Sequence, residues 1–181
     1  MQMQQIYQTT PSPTNIFWPR WGSFEIFRFD IFNKKWMVEE NVQPSTKFLF
    51  FSSIVHLPKS LGMFILGGSD VDNNFSKRNL FFNRYQRFVD KPPMATKRAF
   101  FPSCFSITDS SLYAFGGQDG MADLNLCEKF SIQENIWRPI SPMKMARNGA
   151  SCIAFDKVLF VFGGNSQEYG SLDMIEKYSL E

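Results

Sequence analysis

The run Leu112-Tyr113-Ala114-Phe115-Gly116-Gly117 decides how this chain is read. An apolar stretch of strand length is stopped by two glycines, the residues that turn the backbone through conformations other side chains resist. The same event occurs where Met63-Phe64-Ile65-Leu66 meets Gly67-Gly68, and where Val158–Phe162 meets Gly163-Gly164. The glycine pairs lie 49 and 47 residues apart. Working outward, Phe81 and Phe130, Phe88 and Trp137, Pro93-Met94 and Pro142-Met143, and Arg98 and Arg147 are each 49 residues apart. Several unrelated residue types sharing one offset mark an internal repeat. A worn earlier copy precedes these. Phe29 is followed seven residues later by Trp36, the gap that also separates Phe81 from Phe88 and Phe130 from Trp137. Ile16-Phe17-Trp18 and Gly22 stand as a remnant of its strand and glycine pair.

Each copy holds up to four short runs rich in Phe, Ile, Val, Leu and Tyr, divided by turn residues such as Thr108–Ser111 and Asp156-Lys157. This pattern predicts four antiparallel strands per repeat, the makeup of a propeller blade. No run has a helical period. Val158–Phe162 does not alternate apolar with polar, so it needs cover on both faces, as a sheet sandwiched between neighbouring sheets has.

The glycine pairs, the downstream aromatic, Trp137 and the Pro-Met-(x)3-Arg segments at 93–98 and 142–147 resemble the kelch repeat, whose period is about 50. The resemblance runs from about Gly22 to Glu181 and implies an all-β, kelch-type β-propeller. Phe88 stands where that family has tryptophan. The expected organisation is a polar N-terminal segment over 1–21 and propeller blades over 22–181: a partial blade at 22–40, blades at 47–90 and 98–140, and a partial blade at 147–181. At one copy per 49 residues, 181 residues hold about 3.7 blades, against the four to eight of a closed ring. An incomplete ring, finished by another chain or by further sequence, is expected over a self-closed one.

Composition narrows the function classes. Lys plus Arg is 19 and Asp plus Glu is 17, for a net charge of +2. Short, scattered groups such as Lys34-Lys35 and Lys97-Arg98 lack the clustering of a nucleic-acid face, so no nucleic-acid partner is expected. The longest apolar stretch, Phe48–Leu57, is broken by serines and His56, short of the ~20 residues a membrane helix needs. Met1–Thr10 is polar and shows no signal-peptide pattern. Three cysteines, Cys104, Cys127 and Cys152, read as buried free thiols, which with the foregoing predicts a cytoplasmic protein without membrane association. The 21 phenylalanines supply a large apolar payload.

No enzymatic chemistry is expected. A phosphate loop needs Lys and Ser/Thr after its glycines, whereas Gly67-Gly68 precedes Ser69-Asp70 and Gly116-Gly117 precedes Gln118-Asp119. His56 is the one histidine, too few for the His and Cys sets that zinc and copper recruit, and no hydrolytic triad forms around it. Cys104 and Cys152 occupy nearly equivalent places in successive blades and are expected to lie apart. Asp70 with Asp72, and Glu39 with Glu40, read as solvated surface carboxylates. No cofactor is expected. Gly67, Gly68, Gly116, Gly117, Gly163, Gly164, Trp36, Phe88, Trp137, Arg98 and Arg147 recur at blade period, so they read as structural. For the two arginines the resemblance also raises a second reading, the mouth of a central channel.

What differs between copies points to function, since insertions in repeats map to loops on one face. The variable segments are Ser69–Asn79, Gln118–Asp123 and Asn165–Ser171. With them lie the segments entering each next blade, about Glu40–Thr46, Asp90–Lys97 and Pro139–Ala146. Candidate partner-binding residues are Asp70, Asp72, Lys77, Arg78, Gln118, Asp119, Met121, Gln167, Glu168 and Tyr169. This polar surface with apolar anchors suits a protein or peptide partner. The expected function is a non-enzymatic protein–protein interaction module displaying loops from a rigid scaffold. The alternatives are the substrate-recruiting part of a ubiquitin-ligase adaptor, as the resemblance implies, a channel-mouth enzyme or ligand-binding propeller, and a truncated non-functional fragment.

Overall fold

The computed structural model describes residues 15–23, 25–38, 47–58, 61–83 and 87–180. The first fourteen residues of the N-terminal segment, the Glu39-Glu40 pair and the entering segment 40–46 lie outside that set. All regular structure among the described residues is strand, apart from a single 3-10 position at Pro58. No helix among them is long and apolar enough to cross a membrane.

Four antiparallel sheets follow one another along the chain. Sheet I is β1 (Asn15–Pro19), β2 (Ile26–Asp30) and β3 (Lys35–Val38) in order. Sheet II is β4 (Ser53–His56), β5 (Met63–Leu66), β6 (Asn79–Asn83) and β7 (Arg87–Lys91). Sheet III is β8 (Ser103–Ser106), β9 (Ser111–Phe115), β10 (Cys127–Ser131) and β11 (Ile136–Ile140). A short ribbon, β14 (Asn165–Ser166) with β15 (Gly170–Ser171), decorates sheet IV, which is β12 (Ser151–Phe155), β13 (Val158–Phe162) and β16 (Ile175–Ser179). Each sheet is a simple meander of antiparallel strands, in which tight hairpins alternate with the longer loops that follow the glycine pairs. Ile16 to Trp18 thus lie on a strand of sheet I, paired with Phe27 to Phe29.

The sheets stack face to face through three apolar layers. Ile26 of sheet I packs with Met63, Ile65, Leu80 and Phe82 of sheet II. The opposite face of sheet II, with Val55, Phe64 and Leu66, meets Leu112, Ala114, Phe130 and Trp137 of sheet III. The far face of sheet III, with Cys104, Tyr113, Phe115 and Cys127, meets Leu159 and Val161 of sheet IV. Strands β5 and β9 are buried on both faces, which is why they read as unbroken apolar runs. Strand β13 departs from that expectation. Leu159 and Val161 are buried, while Phe162 on the other face is exposed, because no described sheet packs beyond it.

The register corrects one sequence equivalence. Phe130 pairs with Trp137, and Phe29 with Trp36. In sheet II it is Phe82, not Phe81, that pairs with Phe88. Sheet II has one more residue after its glycines and one fewer in its outer hairpin. The two changes cancel, so Phe88 and Trp137 keep their 49-residue offset while Phe81 turns to the opposite face.

Gly67 and Gly116 show why the glycine pair recurs. Both have φ near +55° to +58°. A Cβ on Gly67 would lie 2.3 Å from the Arg98 carbonyl oxygen, and one on Gly116 2.5 Å from that of Arg147. Each is therefore a point where one repeat's strand end touches the entry segment of the next.

Candidate functional site

Arg98 and Arg147 explain how the entry segments are held. Arg98 is fully buried. Its Nη1 donates to the carbonyls of Gly116 and Leu126 at 2.7 and 2.9 Å, and its Nη2 to Glu128 Oε1 at 2.6 Å. Glu128 in turn accepts the Ala95 and Thr96 N–H groups at 2.7 and 3.1 Å. Arg147 repeats the pattern, with Gly163 and Met174 carbonyls at 3.0 and 3.3 Å, and Glu176 at 2.5 Å. Glu176 also accepts the Lys144 N–H at 2.7 Å. Both guanidiniums are fully buried, with Nη1 and Nη2 held by the chain's own acceptors and Nε without a partner among the described residues, so they are not exposed to a ligand at a channel mouth. The two glutamates carry half of each tie and were not singled out in the sequence. Their signal was the repeated Glu-Lys-aromatic of Glu128-Lys129-Phe130 and Glu176-Lys177-Tyr178.

Sheet II lacks the tie. Register places Leu80 where sheet III has Glu128, and the bridges Phe50↔Ser69 and Ala99↔Gln118 place Leu49 where it has Arg98. The Gly67 carbonyl, orphaned by that change, lies 3.0 Å from the Ser52 hydroxyl. Where sheet III has a buried charged pair, sheet II has two leucines, with a hydroxyl covering the carbonyl.

The bridges Ala99↔Gln118 and Asn148↔Asn165 set each entry segment beside its own post-glycine loop. The variable segments therefore share one end of the stack. Asp70 and Asp119 fold two of these loops from within. Asp70 Oδ1 accepts the N–H groups of Asp72 and Asn74, both at 2.9 Å, and Asp119 Oδ1 those of Met121 and Ala122 at 2.8 and 3.0 Å. The hydrogen bonds from Asn74 hold the Asp70 carboxyl below its ordinary value, and those from the Met121 and Ala122 amides do the same for Asp119. Arg78 is paired with Asp90 at 3.3 Å. Lys77 and Asp72 are exposed.

Asp123 binds three segments together. Its Oδ1 accepts from Gln118 Nε2 at 3.0 Å and Asn148 Nδ2 at 2.7 Å, and its Oδ2 from the Gln167 N–H at 2.7 Å. This carboxylate joins the loop of sheet III, the entry segment of sheet IV and the ribbon loop. Beside it opens a groove of about 480 Å³, floored by Ala122, Met145 and Ala146 and rimmed by Lys144, Glu168 and Tyr169. Of the candidates, Gln167, Glu168 and Tyr169 line this groove. Gln118, Asp119 and the exposed Met121 belong to the loop that brings Ala122 and Asp123 to it, whereas Asp70, Asp72, Lys77 and Arg78 belong to the neighbouring loop of sheet II.

At the centre of the same end, Phe51, Phe100 and Gly149 occupy equivalent positions with φ of 56°, 55° and 62°. The Phe100 N–H donates to the Phe51 carbonyl at 3.2 Å and the Gly149 N–H to the Phe100 carbonyl at 2.7 Å. The two phenylalanine rings stack with centroids 4.0 Å apart. Bulky residues hold this left-handed conformation only where the surroundings fix it. Here the linked amides and the ring stack do so. A second cavity of about 370 Å³ opens there, lined by these rings and by Trp18 and Trp21.

Further down the same axis, β4, β8 and β12 run side by side, so equivalent residues on them are neighbours rather than far apart. Cys152 packs beside Cys104, correcting the expectation of separation. That contact and burial raise the Cys152 thiol above its ordinary value, and burial pushes Cys127 up to about 11. Both are held as protonated thiols. His56 lies at the end of β4 and burial lowers its imidazole. Among the described residues no group of three or more His, Cys, Asp or Glu side chains is assembled that could hold a metal ion.

Comparison with known proteins agrees with this architecture. A family model described as Kelch motif matches residues 101–144. Kelch repeat and BTB domain-containing protein 2 of Cowpox virus (strain GRI-90 / Grishak) is 25% identical over 95 residues, covering 51% of this chain and 17% of the viral protein. Kelch-like protein 7 of Rattus norvegicus is 34% identical over 70 residues, covering 39% of this chain and 12% of the relative. The chain thus spans less than a fifth of these relatives. The solved structure of YjhT superposes with a TM-score of 0.70 at 10% identity, covering 84% of this chain and 48% of that one. The fold is the kelch β-propeller fold, and residues 101–144 carry a kelch motif.

Proposed function

We propose that this chain is a non-enzymatic protein-binding module whose partner sits on the loop end, across the groove between sheets III and IV. The observation that carries the reading is Asp123. One carboxylate fixes two variable loops and the start of sheet IV to each other before any partner arrives, which lowers the ordering cost of binding. Around it, Met121 and Tyr169 offer exposed apolar anchors and Lys144 and Glu168 a polar rim, the composition of a protein-binding patch. Relatives named for kelch repeats with a BTB domain support an interaction role. A cytoplasmic setting fits the three free thiols.

The test is affinity capture from cell extract with wild-type chain, with Met121→Ala/Tyr169→Ala, and with Lys157→Ala in the hairpin turn between β12 and β13. A protein retained by wild type and by Lys157→Ala, and lost from the loop variant at unchanged melting temperature, supports the reading. A partner lost only from Lys157→Ala, or turnover of a small substrate that survives the loop changes, sinks it.

A further inference from the structure

Within the chain, every junction between sheets joins a forward face to the rear face of the next sheet. Two such faces are left uncovered by described residues. The forward face of sheet IV presents Ile153, Phe155, Phe162 and Ile175, which are 51%, 72%, 37% and 61% exposed. They share one side of the sheet, because Ser151, beside Ile153 on that side, pairs with Phe162, and Phe162 pairs with Ile175. In sheet III the equivalent side carries Tyr113, Phe115 and Cys127, and it is covered by sheet IV. The rear face of sheet I presents Phe27, Phe29, Trp36 and Val38, paired as Phe27↔Val38 and Phe29↔Trp36, with Trp36 54% and Val38 48% exposed. Its Phe29–Trp36 pair is the counterpart of Phe130–Trp137 in sheet III, which is covered by sheet II.

We infer that a second copy of this chain is the occupant of both faces, packed head to tail so that sheet IV of each protomer covers sheet I of the other. The two surfaces carry the two halves of a junction this sequence already builds internally. A face that needs the rear of a kelch sheet finds one on another copy. Closure follows from the span of the sheets. They match 48% of the length of a propeller of the same fold, so two copies together carry about the length of one ring. A head-to-tail contact that closes after a half turn gives a twofold ring rather than a filament. Taking an aromatic side chain at roughly 150–250 Å² and weighting by exposure, the residues named bury about 700 Å² per junction. Two junctions give about 1,400 Å², within the range of specific stable interfaces.

The experiment is light scattering on a sizing column with the 181-residue chain, wild type and two variants, each checked for folding by circular dichroism. Phe155→Glu/Ile175→Glu blocks the forward face, and Trp36→Glu/Val38→Glu blocks the rear face. All four positions are about half exposed or more, so the substitutions do not enter the core. Wild type is expected near 42 kDa, twice the chain's 21.0 kDa. Each variant alone is expected as a monomer, with self-association weakened at least tenfold. The two variants mixed keep one intact junction and should recover a dimer. A wild-type monomer across micromolar concentrations overturns the proposal. So does a variant that still dimerises alone, which would mean like faces pairing, and so does an open-ended polymer. If both variants aggregate, the milder Phe155→Ser and Trp36→Ser, read against the same masses, decide.

Discussion

Removing one partner of the Arg98–Glu128 tie should cost far more than half of what removing both costs. Arg98→Leu leaves the Glu128 carboxylate buried with only the Ala95 and Thr96 N–H groups. Glu128→Leu leaves a fully buried guanidinium with two carbonyls and no carboxylate. Breaking a buried pair in this way costs about 3–5 kcal/mol, so each single variant is expected near 4 kcal/mol. In a domain of this size that lowers the melting temperature by roughly 8–16 °C. The double variant removes both charges, and what remains is the loss of hydrogen bonds to four backbone groups. Its cost should stay near 4 kcal/mol rather than reach about 8, a coupling of about 4 kcal/mol between the sites. Sheet II supports the argument from inside the molecule, since it carries Leu49 and Leu80 at these places. Arg147 and Glu176 form the internal control. The Glu176 side chain is 18% exposed against 3% for Glu128, so its coupling should be the smaller. Equilibrium urea unfolding of the four variants of each cycle measures both. Additivity to within about 0.5 kcal/mol at Arg98–Glu128 would refute the reasoning, and so would a larger coupling at the more exposed pair.

Other outcomes follow from the same structure. Gly116→Ala places a methyl 2.5 Å from the Arg147 carbonyl at positive φ, for about 3 kcal/mol of lost stability. Gly149→Ala, with open space around its Cβ position, should lose only about 1 kcal/mol in the same denaturation assay. Trp137→Phe removes the indole N–H that donates to the Pro92 carbonyl at 3.0 Å, yet Asn79 still donates to that oxygen at 3.1 Å, so a loss of about 1–2 kcal/mol is expected by thermal unfolding. His56 is exposed at the end of β4, and the partial burial of its ring lowers its folded value only modestly from 6.5. Stability should therefore be level above about pH 6.5 and fall as the pH drops below it, because the unfolded chain takes the proton first. His56→Gln should flatten that part of the pH profile. Asp123→Ala should speed amide exchange at Gln167 and along the 165–171 loop while leaving β9 and β10 protected.

The repeat, the all-β architecture and the loop end were legible because glycine pairs and apolar runs are local signals with a fixed period. The tie was half legible. Arg98 and Arg147 stood out by spacing, but Glu128 and Glu176 sit in strands where an acid reads as solvent-facing, and only the pairing register turns them inward. Phe81 was misassigned for a related reason. Two phenylalanines adjoin at Phe81-Phe82, and a one-residue slip in a strand exchanges its faces without altering its composition. Asp123 escaped notice because its partners, Gln118, Asn148 and Gln167, come from three segments that only the stacked sheets bring together. The Cys104–Cys152 contact was missed because sequence equivalence says nothing about distance from an axis.

The compensating length changes in sheet II bear on how this surface can diversify. Relative to sheet III, sheet II has one residue more on the loop side of β6 and one fewer on its hairpin side, yet the strands pair in the same pattern. Strand pairing and the glycine contact act as fixed anchors, and the slack is taken up at the rims. Closing a modestly longer loop costs only a few tenths of a kcal/mol, since the entropy grows with the logarithm of length. Drift in sequence length is therefore cheap on the end that meets a partner and expensive where sheets stack. Such repeats can carry recognition loops of different length without a change in how their sheets stack.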